Sequence, residues 1–185
     1  MSDEPAEPVV REDRGAVSVL ELRRGVYNPW GPDMSSALSA HLDDVRRDPA
    51  QRAVLLTGSG VKAFSSGVDV SKKDAHDSRT AERTLQDLGR GQLPVFADLL
   101  DFPKPIVCAV NGYAIGAGFL IALCCDAILV GDNAVFRLSQ VELGVIPAYG
   151  GLARLAQWVG RGRAFEIGIA GRKVLADEAV SIGMA

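Results

Sequence analysis

Short apolar runs, bounded by glycine, proline or polar residues, recur along this chain of 185 residues. Their length and their boundaries are typical of buried β-strands rather than of helices. The runs that we predict to be strands are 16–22, 53–57, 106–110, 126–130 and 134–137.

Segments with a helical spacing of apolar residues separate these strands. In the clearest case, apolar residues recur on one face of a helix that we expect Asp33 to cap. Further helices are predicted over 82–101, directly after the small residues at 116–118, and as short helices within 152–185. Strands that alternate with helices imply crossover units, so the pattern predicts an α/β fold.

Two stretches lack the apolar spacing that a packed element needs. Residues 1–13 carry five acidic groups and are predicted to be a flexible acidic tail, not a signal peptide, ahead of one domain over 14–185. Residues 71–83 are polar and are predicted to form a mobile loop.

Composition narrows the class of protein. A hydrophobic content of 48% and a charged content of 23% are typical of one globular domain. The net charge of -3 argues against the basic surface that a nucleic-acid partner needs. No run reaches the roughly 18 apolar residues that span a bilayer. We therefore expect a cytoplasmic protein with no nucleic-acid or membrane partner.

The three cysteines, Cys108, Cys124 and Cys125, all lie in apolar segments and lack metal-ligand spacing. Buried free thiols are the simpler interpretation. The sequence predicts no metal site and no bound cofactor.

The glycines around residue 116 are the most informative feature. The strand at 106–110 leads through Asn111–Gly112 into Gly116-Ala117-Gly118, which opens an apolar helix. The first N–H groups of a helix have no partner within it, so this arrangement predicts a site for an anion or an oxyanion. The alternative is that these glycines only allow the helix to approach the sheet closely. A dinucleotide-binding turn is disfavoured, because its close glycine pair precedes the longer gap.

A second strand end with a glycine occurs at 62–70, where Gly67 exposes the backbone amide of Val68. Two amide sources in distant parts of the chain suggest a single site. Ser65 and Ser66 are not favoured as nucleophiles, because the chain lacks the Gly-x-Ser-x-Gly elbow.

From residue 16 onward the chain resembles the crotonase, or enoyl-CoA hydratase/isomerase, superfamily. The segments that carry the resemblance, in the family's order and spacing, are 62–70, 105–126, 143–147 with Gly150-Gly151, and 160–164. The resemblance implies a superhelix of ββα turns, followed by C-terminal helices that build a trimer and help to cover the ligand. The C-terminal helical region looks shortened, so a homotrimer or a dimer of trimers is expected only if those helices exist.

The resemblance also implies the ligand. The anion would be the enolate of an acyl-CoA thioester, or of an acyl group on a carrier protein, with coenzyme A as part of the substrate. Val68 and Ala117 correspond to the two oxyanion amides. The family usually has glycine at the second position, so Ala117 fits only if its backbone does not need a positive φ.

By the same resemblance, Ala63, Phe64 and Ser66 look like the adenine-binding strand. Lys62 and Lys72 are candidates to meet the phosphates of coenzyme A. The alternative for both lysines is that they are merely solvated.

The family's hydratases use two glutamates, and the matching positions here hold Leu120 and Gln140. Neither side chain can ionise, so two-glutamate hydration and single-glutamate isomerisation are not expected unless another group substitutes. Glu142 and Tyr149 are the candidates; their alternatives are solvent exposure and simple packing. Asp74 and His76, in the predicted polar loop, are weaker candidates, and their alternative is simple solvent exposure.

Two hypotheses follow. The first is an enzyme that uses the two amides for enolate chemistry other than standard hydration, namely isomerisation, decarboxylation or C–C hydrolysis. The second is a catalytically silent subunit for acyl-CoA binding or assembly.

Overall fold

The computed structural model describes residues 7–68 and 93–185. The predicted polar loop, with Lys72, Asp74 and His76, lies outside the described residues. Within the described ranges the strands are β1 (Val9–Arg14), β2 (Val17–Leu22), β3 (Ala53–Gly58), β4 (Ala63–Ser65), β5 (Ile106–Val110), β6 (Tyr113–Ile115), β7 (Ala127–Val130), β8 (Val135–Arg137) and β9 (Lys173–Leu175).

The helices in the same ranges are α1 (Pro32–Arg47), α2 (Leu93–Leu100), α3 (Ala117–Ala122), α4 (Gly151–Val159), α5 (Arg161–Ala170) and α6 (Ala176–Ser181). A 3₁₀ helix, Ser139–Leu143, follows β8. None of the helices in the part that the structure describes has both the length and the apolar character to cross a bilayer.

Consecutive strands are divided between two sheets. The first sheet has the order β1-β2-β3-β5-β7, and the second has the order β4-β6-β8-β9. In each of the consecutive pairs β3 and β4, β5 and β6, and β7 and β8, one strand therefore lies in the first sheet and the other in the second. The hydrogen-bonded neighbours β3/β5, β5/β7, β4/β6 and β6/β8 are all parallel. This arrangement confirms the predicted α/β class and the predicted succession of strand pairs.

The core rests on alternation within the first sheet. Leu20, Leu56, Cys108 and Ile128 lie in register on neighbouring strands and are all buried. Because strand side chains alternate between faces, the same alternation in each strand produces one continuous apolar row across the sheet.

The predicted acidic tail is wrong in its boundary. Strand β1 pairs antiparallel with β2 over its whole length, and Val9 is fully buried. The charges of β1 fit a strand because residues two apart share a face: Arg11 binds Asp13, and Arg14 binds Glu12. The folded domain therefore includes residues that the sequence analysis assigned to the tail.

The predicted start of α1 is also wrong. Gly31 is the N-terminal cap and Pro32 occupies the first turn, where its missing N–H costs nothing. Asp33 lies within the first turn and pairs with Arg24 at 3.4 Å. Strand β9 was missed because it has three residues, of which only Val174 is buried.

Candidate active site

The turn between β6 and α3 has a conformation that only glycine adopts readily. Gly116 has φ 53° and ψ −115°, and its N–H donates to the Arg137 carbonyl at 2.9 Å. That bond attaches the turn to β8. Ala117 follows as the first residue of α3, where the helix supplies no acceptor for its N–H.

The alanine at position 117 is compatible with this turn. Among the described residues other than glycine, a positive φ occurs at Asn28 and Tyr149, and Ala117 does not share it. The condition that the sequence analysis placed on this alanine is therefore met, since Gly116 carries the special conformation.

The turn at Gly67 contacts the turn at Gly116 directly. Gly67 has φ 83°, and a Cβ built on it would lie 2.5 Å from the Ile115 carbonyl oxygen and 3.2 Å from the Ala117 nitrogen. Only glycine allows such an approach. The amide of Val68 follows Gly67 by one peptide bond, so the structure brings the two predicted amides into one region.

The Gly67 peptide is held at both ends. Trp30 donates its N–H to the Gly67 carbonyl at 2.7 Å, and the Gly67 N–H donates to the Ser65 hydroxyl at 3.2 Å. The same hydroxyl donates to the Asn28 carbonyl at 2.7 Å. Ser65 thus has a positioning role in the fold, which its burial also indicates.

The N–H groups of Val68 and Ala117 share a further property. Neither donates a hydrogen bond to any atom of residues 7–68 and 93–185.

Gly118 has a different role, because a Cβ there would collide with the Ser65 backbone and would lie 2.8 Å from Ser65 Cβ. Gly118 therefore allows close packing, as the alternative interpretation of the glycines has it, whereas Gly116 and Gly67 shape the two turns.

Leu120 and Gln140, which the resemblance matches to two glutamates, differ in character. Leu120 is 2% exposed and packs against Gly151 at the start of α4, so its surroundings are apolar. Gln140 is half-buried in the 3₁₀ helix, and its Nε2 lies 3.8 Å from a Cβ built on Gly116. Its Oε1 is buried and has no hydrogen-bond partner in the described structure.

Glu142 lies on the surface. Its carboxylate forms an ion pair with Arg137, and its side chain is 54% exposed. Arg137 also donates from Nε to the Gly171 carbonyl at 2.7 Å. These contacts agree with the solvent-exposed alternative.

Tyr149 is half-buried and has φ 54°. Its ring stacks on Phe96, with centroids 4.0 Å apart and an interplanar angle of 12°. Burial raises the pKa of its phenol, because desolvation disfavours the charged phenolate.

The proposed adenine strand is buried in the fold. Ala63 and Phe64 are fully buried, main chain included, so the structure leaves no atom of either residue open to a ligand. Ser66 is partly exposed, and its N–H donates to the Tyr27 carbonyl at 2.9 Å. Lys62 is exposed at the start of the strand, where it is compatible with either phosphate binding or solvation.

The cysteines are free and buried. Burial raises the pKa of Cys124 to about 12, and the neighbouring Cys108 together with burial raises the pKa of Cys125. In the part of the chain that the structure describes, no group of three or more His, Cys, Asp or Glu side chains is placed to hold a metal ion.

Comparison with known proteins identifies the family. The family model for enoyl-CoA hydratase/isomerase matches residues 12–185. The chain belongs to this family. It is 35% identical over 178 residues to a short-chain-enoyl-CoA hydratase of Clostridium acetobutylicum, and this match covers 95% of this chain and 66% of the relative. It is 33% identical to a carnitinyl-CoA dehydratase of Salmonella enteritidis, with 92% and 63% covered.

Solved structures agree with this assignment. An enoyl-CoA hydratase subunit of Geobacillus kaustophilus superposes with a TM-score of 0.86 at 33% identity, over 96% of this chain and 67% of the other. Pseudomonas aeruginosa DspI superposes with a TM-score of 0.87 at 28% identity, over 100% and 69%. The crotonase fold is thereby confirmed. The chain spans about two thirds of the length of the curated relatives it matches.

Proposed function

We propose that this chain binds an acyl-CoA thioester and stabilises its enolate through the backbone amides of Val68 and Ala117. The supporting observation is that two adjacent turns present N–H groups with no acceptor among the described residues. Helix α3 has six residues, so the proposal rests on the two amides rather than on a helix dipole.

The chemistry needs such donors. When the α-carbon of a thioester loses a proton or a carboxylate, negative charge develops on the thioester oxygen. Amides that are already in place stabilise this charge without reorganising, and the loss of one such donor costs about 2.7–4 kcal/mol of barrier. Both turns are fixed by main-chain contacts, as this mechanism requires.

The reaction that this site supports is enolate chemistry without a carboxylate base. Leu120 is apolar and Gln140 is neutral, so neither can take a proton from water. A substrate with a carboxylate on the α-carbon supplies its own leaving group: the C–C bond breaks, CO₂ departs, and the electron pair forms the enolate. Protonation of the α-carbon then completes the reaction: the phenol of Tyr149 is the proposed proton donor, and the resulting phenolate regains a proton from water.

Double-bond isomerisation and C–C hydrolysis remain alternatives within the same class. Glu142 would have to leave its ion pair with Arg137 to act as a base. A silent subunit for binding or assembly is the second candidate function, and the apolar packing of Leu120 against Gly151 favours it.

A direct assay separates these functions. The protein is incubated with crotonyl-CoA and with methylmalonyl-CoA, while absorbance and released CO₂ are followed. We expect CO₂ release from methylmalonyl-CoA and a reduced rate in Tyr149→Phe, with Tyr113→Phe as the control at an exposed position. Binding of both thioesters without any turnover would support the silent subunit instead.

A further inference from the structure

Asn28 combines a fully buried polar side chain with a left-handed backbone. Its exposed fraction is 0%, and its φ is 46°. Among the described residues other than glycine, only Tyr149 shares a positive φ. Asparagine reaches this region more easily than most residues, but the conformation still costs free energy and persists only where the surroundings enforce it. The contacts of Asn28 show what enforces it here.

The carboxamide of Asn28 is held on both sides. Its Oδ1 accepts the Arg24 N–H at 2.9 Å and the Ser59 hydroxyl at 3.1 Å. Its Nδ2 donates to the Ala63 carbonyl at 2.9 Å. Because an unpaired buried polar group costs its full desolvation free energy, these bonds resist rearrangement. They fix the residue between the chain ahead of α1 and the start of β4.

The main chain beside Asn28 holds the turn that carries Val68. The Asn28 carbonyl accepts the Ser65 hydroxyl at 2.7 Å, and that hydroxyl accepts the Gly67 N–H at 3.2 Å. Two residues after Asn28, the Trp30 N–H donates to the Gly67 carbonyl at 2.7 Å. One short segment therefore holds the N–H and the carbonyl of Gly67.

The bond to the Gly67 carbonyl also sets the direction of the Val68 N–H. The two groups belong to one peptide unit, which is planar and trans, so they point in opposite directions. With the carbonyl bonded to Trp30, the N–H faces away from Trp30, and no atom in the described part of the chain accepts it. The place of the Trp30 N–H depends in turn on Asn28, because Pro29 between them has a nearly fixed φ.

We propose that Asn28 is a positioning residue for the oxyanion site. Its left-handed backbone and its clamped carboxamide place the Trp30 N–H on the Gly67 carbonyl and thereby aim the Val68 N–H at the thioester oxygen. This inference rests on the proposed function, because it requires the Val68 N–H to be a donor to the ligand. Two substitutions separate the causes: Asn28→Ala removes the carboxamide and disfavours the positive φ, whereas Asn28→Gly removes the carboxamide alone.

The test follows backbone amides by nuclear magnetic resonance while butyryl-CoA is titrated into the whole chain. In the wild type, the Val68 and Ala117 N–H resonances are both expected to move downfield as they bond the thioester oxygen. The Val68 shift is expected to be lost in Asn28→Ala and reduced in Asn28→Gly, while the Ala117 shift is retained in both. Ser18→Ala is the matched control, because its buried hydroxyl bonds Asp13 at 2.7 Å, and it should keep both shifts.

Turnover gives a second measurement that a purely structural role would not change. With the thioester that the wild type processes fastest, kcat of Asn28→Ala is expected to fall by up to about 10²-fold, the effect of a misplaced group, while KM changes little. Ser18→Ala should lose thermal stability and keep its kcat. An Asn28→Ala variant that loses only thermal stability, with kcat unchanged, overturns the inference.

The outcomes separate this inference from the proposed function. A full Val68 shift in both folded Asn28 variants overturns the inference alone, and so does the loss of both shifts, since the effect would not be specific to Val68. The absence of both shifts in the wild type overturns the proposed function itself. A wild-type measurement stands even if both variants fail to fold: a coupling through the hydrogen bond from the Trp30 nitrogen to the Gly67 carbonyl carbon is expected, and its absence overturns the inference.

Discussion

Ala117→Pro removes one proposed oxyanion donor without removing a helical hydrogen bond. Ala117 is the first residue of α3, where the N–H has no partner within the helix. Proline lacks this N–H and is well tolerated at the first helical position. The absence of a positive φ at Ala117 fits proline as well.

The expected effect follows from the lost donor. Removal of one oxyanion donor costs about 2.7–4 kcal/mol, so kcat should fall by about 10²- to 10³-fold. Ala117→Gly keeps the N–H and should retain kcat within about tenfold. Because the coenzyme A contacts lie elsewhere in the proposed site, KM should change less than kcat.

The assay is steady-state turnover of whichever CoA thioester the wild type processes fastest, with thermal unfolding measured in parallel. A folded Ala117→Pro variant whose kcat stays within tenfold of the wild type would refute the reasoning. An increase in KM with an unchanged kcat would also contradict it, since that result indicates that the proline ring only obstructs binding.

Three further predictions concern the fold. Gly67→Ala should lower the free energy of unfolding by at least about 2 kcal/mol in urea titration, because φ is positive at this residue and the new Cβ meets a carbonyl. Gly162→Ala, at a helical position that faces open space, should raise the free energy of unfolding by about 0.5–1 kcal/mol. Equal effects of the two substitutions would contradict the prediction. The Arg11 guanidinium is the main cause that lowers the pKa of Asp13, so this pairing stabilises the fold above the usual pKa of 3.8 and is lost as pH falls through the lower folded value. Asp13→Asn should therefore make the free energy of unfolding less dependent on pH at the acid end of the curve. An unchanged curve would contradict the pairing and would agree with Asp13 lying in a flexible tail. Cys124, with a pKa of about 12, should react with iodoacetamide at pH 8 only after unfolding, as mass spectrometry of intact protein would show; rapid labelling of the native protein would contradict its burial.

The strands of the core could be predicted because their signal is local. Apolar runs such as those of β3 and β5 are buried wherever they pair, and the structure confirms them. Strand β1 could not be predicted in the same way, since four of its six residues are charged. Its place depends on pairing with β2, a tertiary contact that overrides the local composition.

The candidate site, like the fold, could be predicted only where the signal is local in the sequence. The glycines at 67 and 116 indicated two turns with exposed amides, and the structure brings these turns together. The full burial of Ala63 and Phe64 depends on the elements that pack over them, which the local sequence does not indicate. Gln140 Oε1, which is buried without a hydrogen-bond partner among residues 7–68 and 93–185, could not be predicted at all, since its environment depends on how other elements pack.

The most direct test is a crystal structure of the protein with a bound acyl-CoA thioester. The account predicts that the backbone nitrogens of Val68 and Ala117 both lie about 2.7–3.1 Å from the thioester oxygen. A thioester oxygen bound elsewhere, or in contact with only one of these nitrogens, would contradict it.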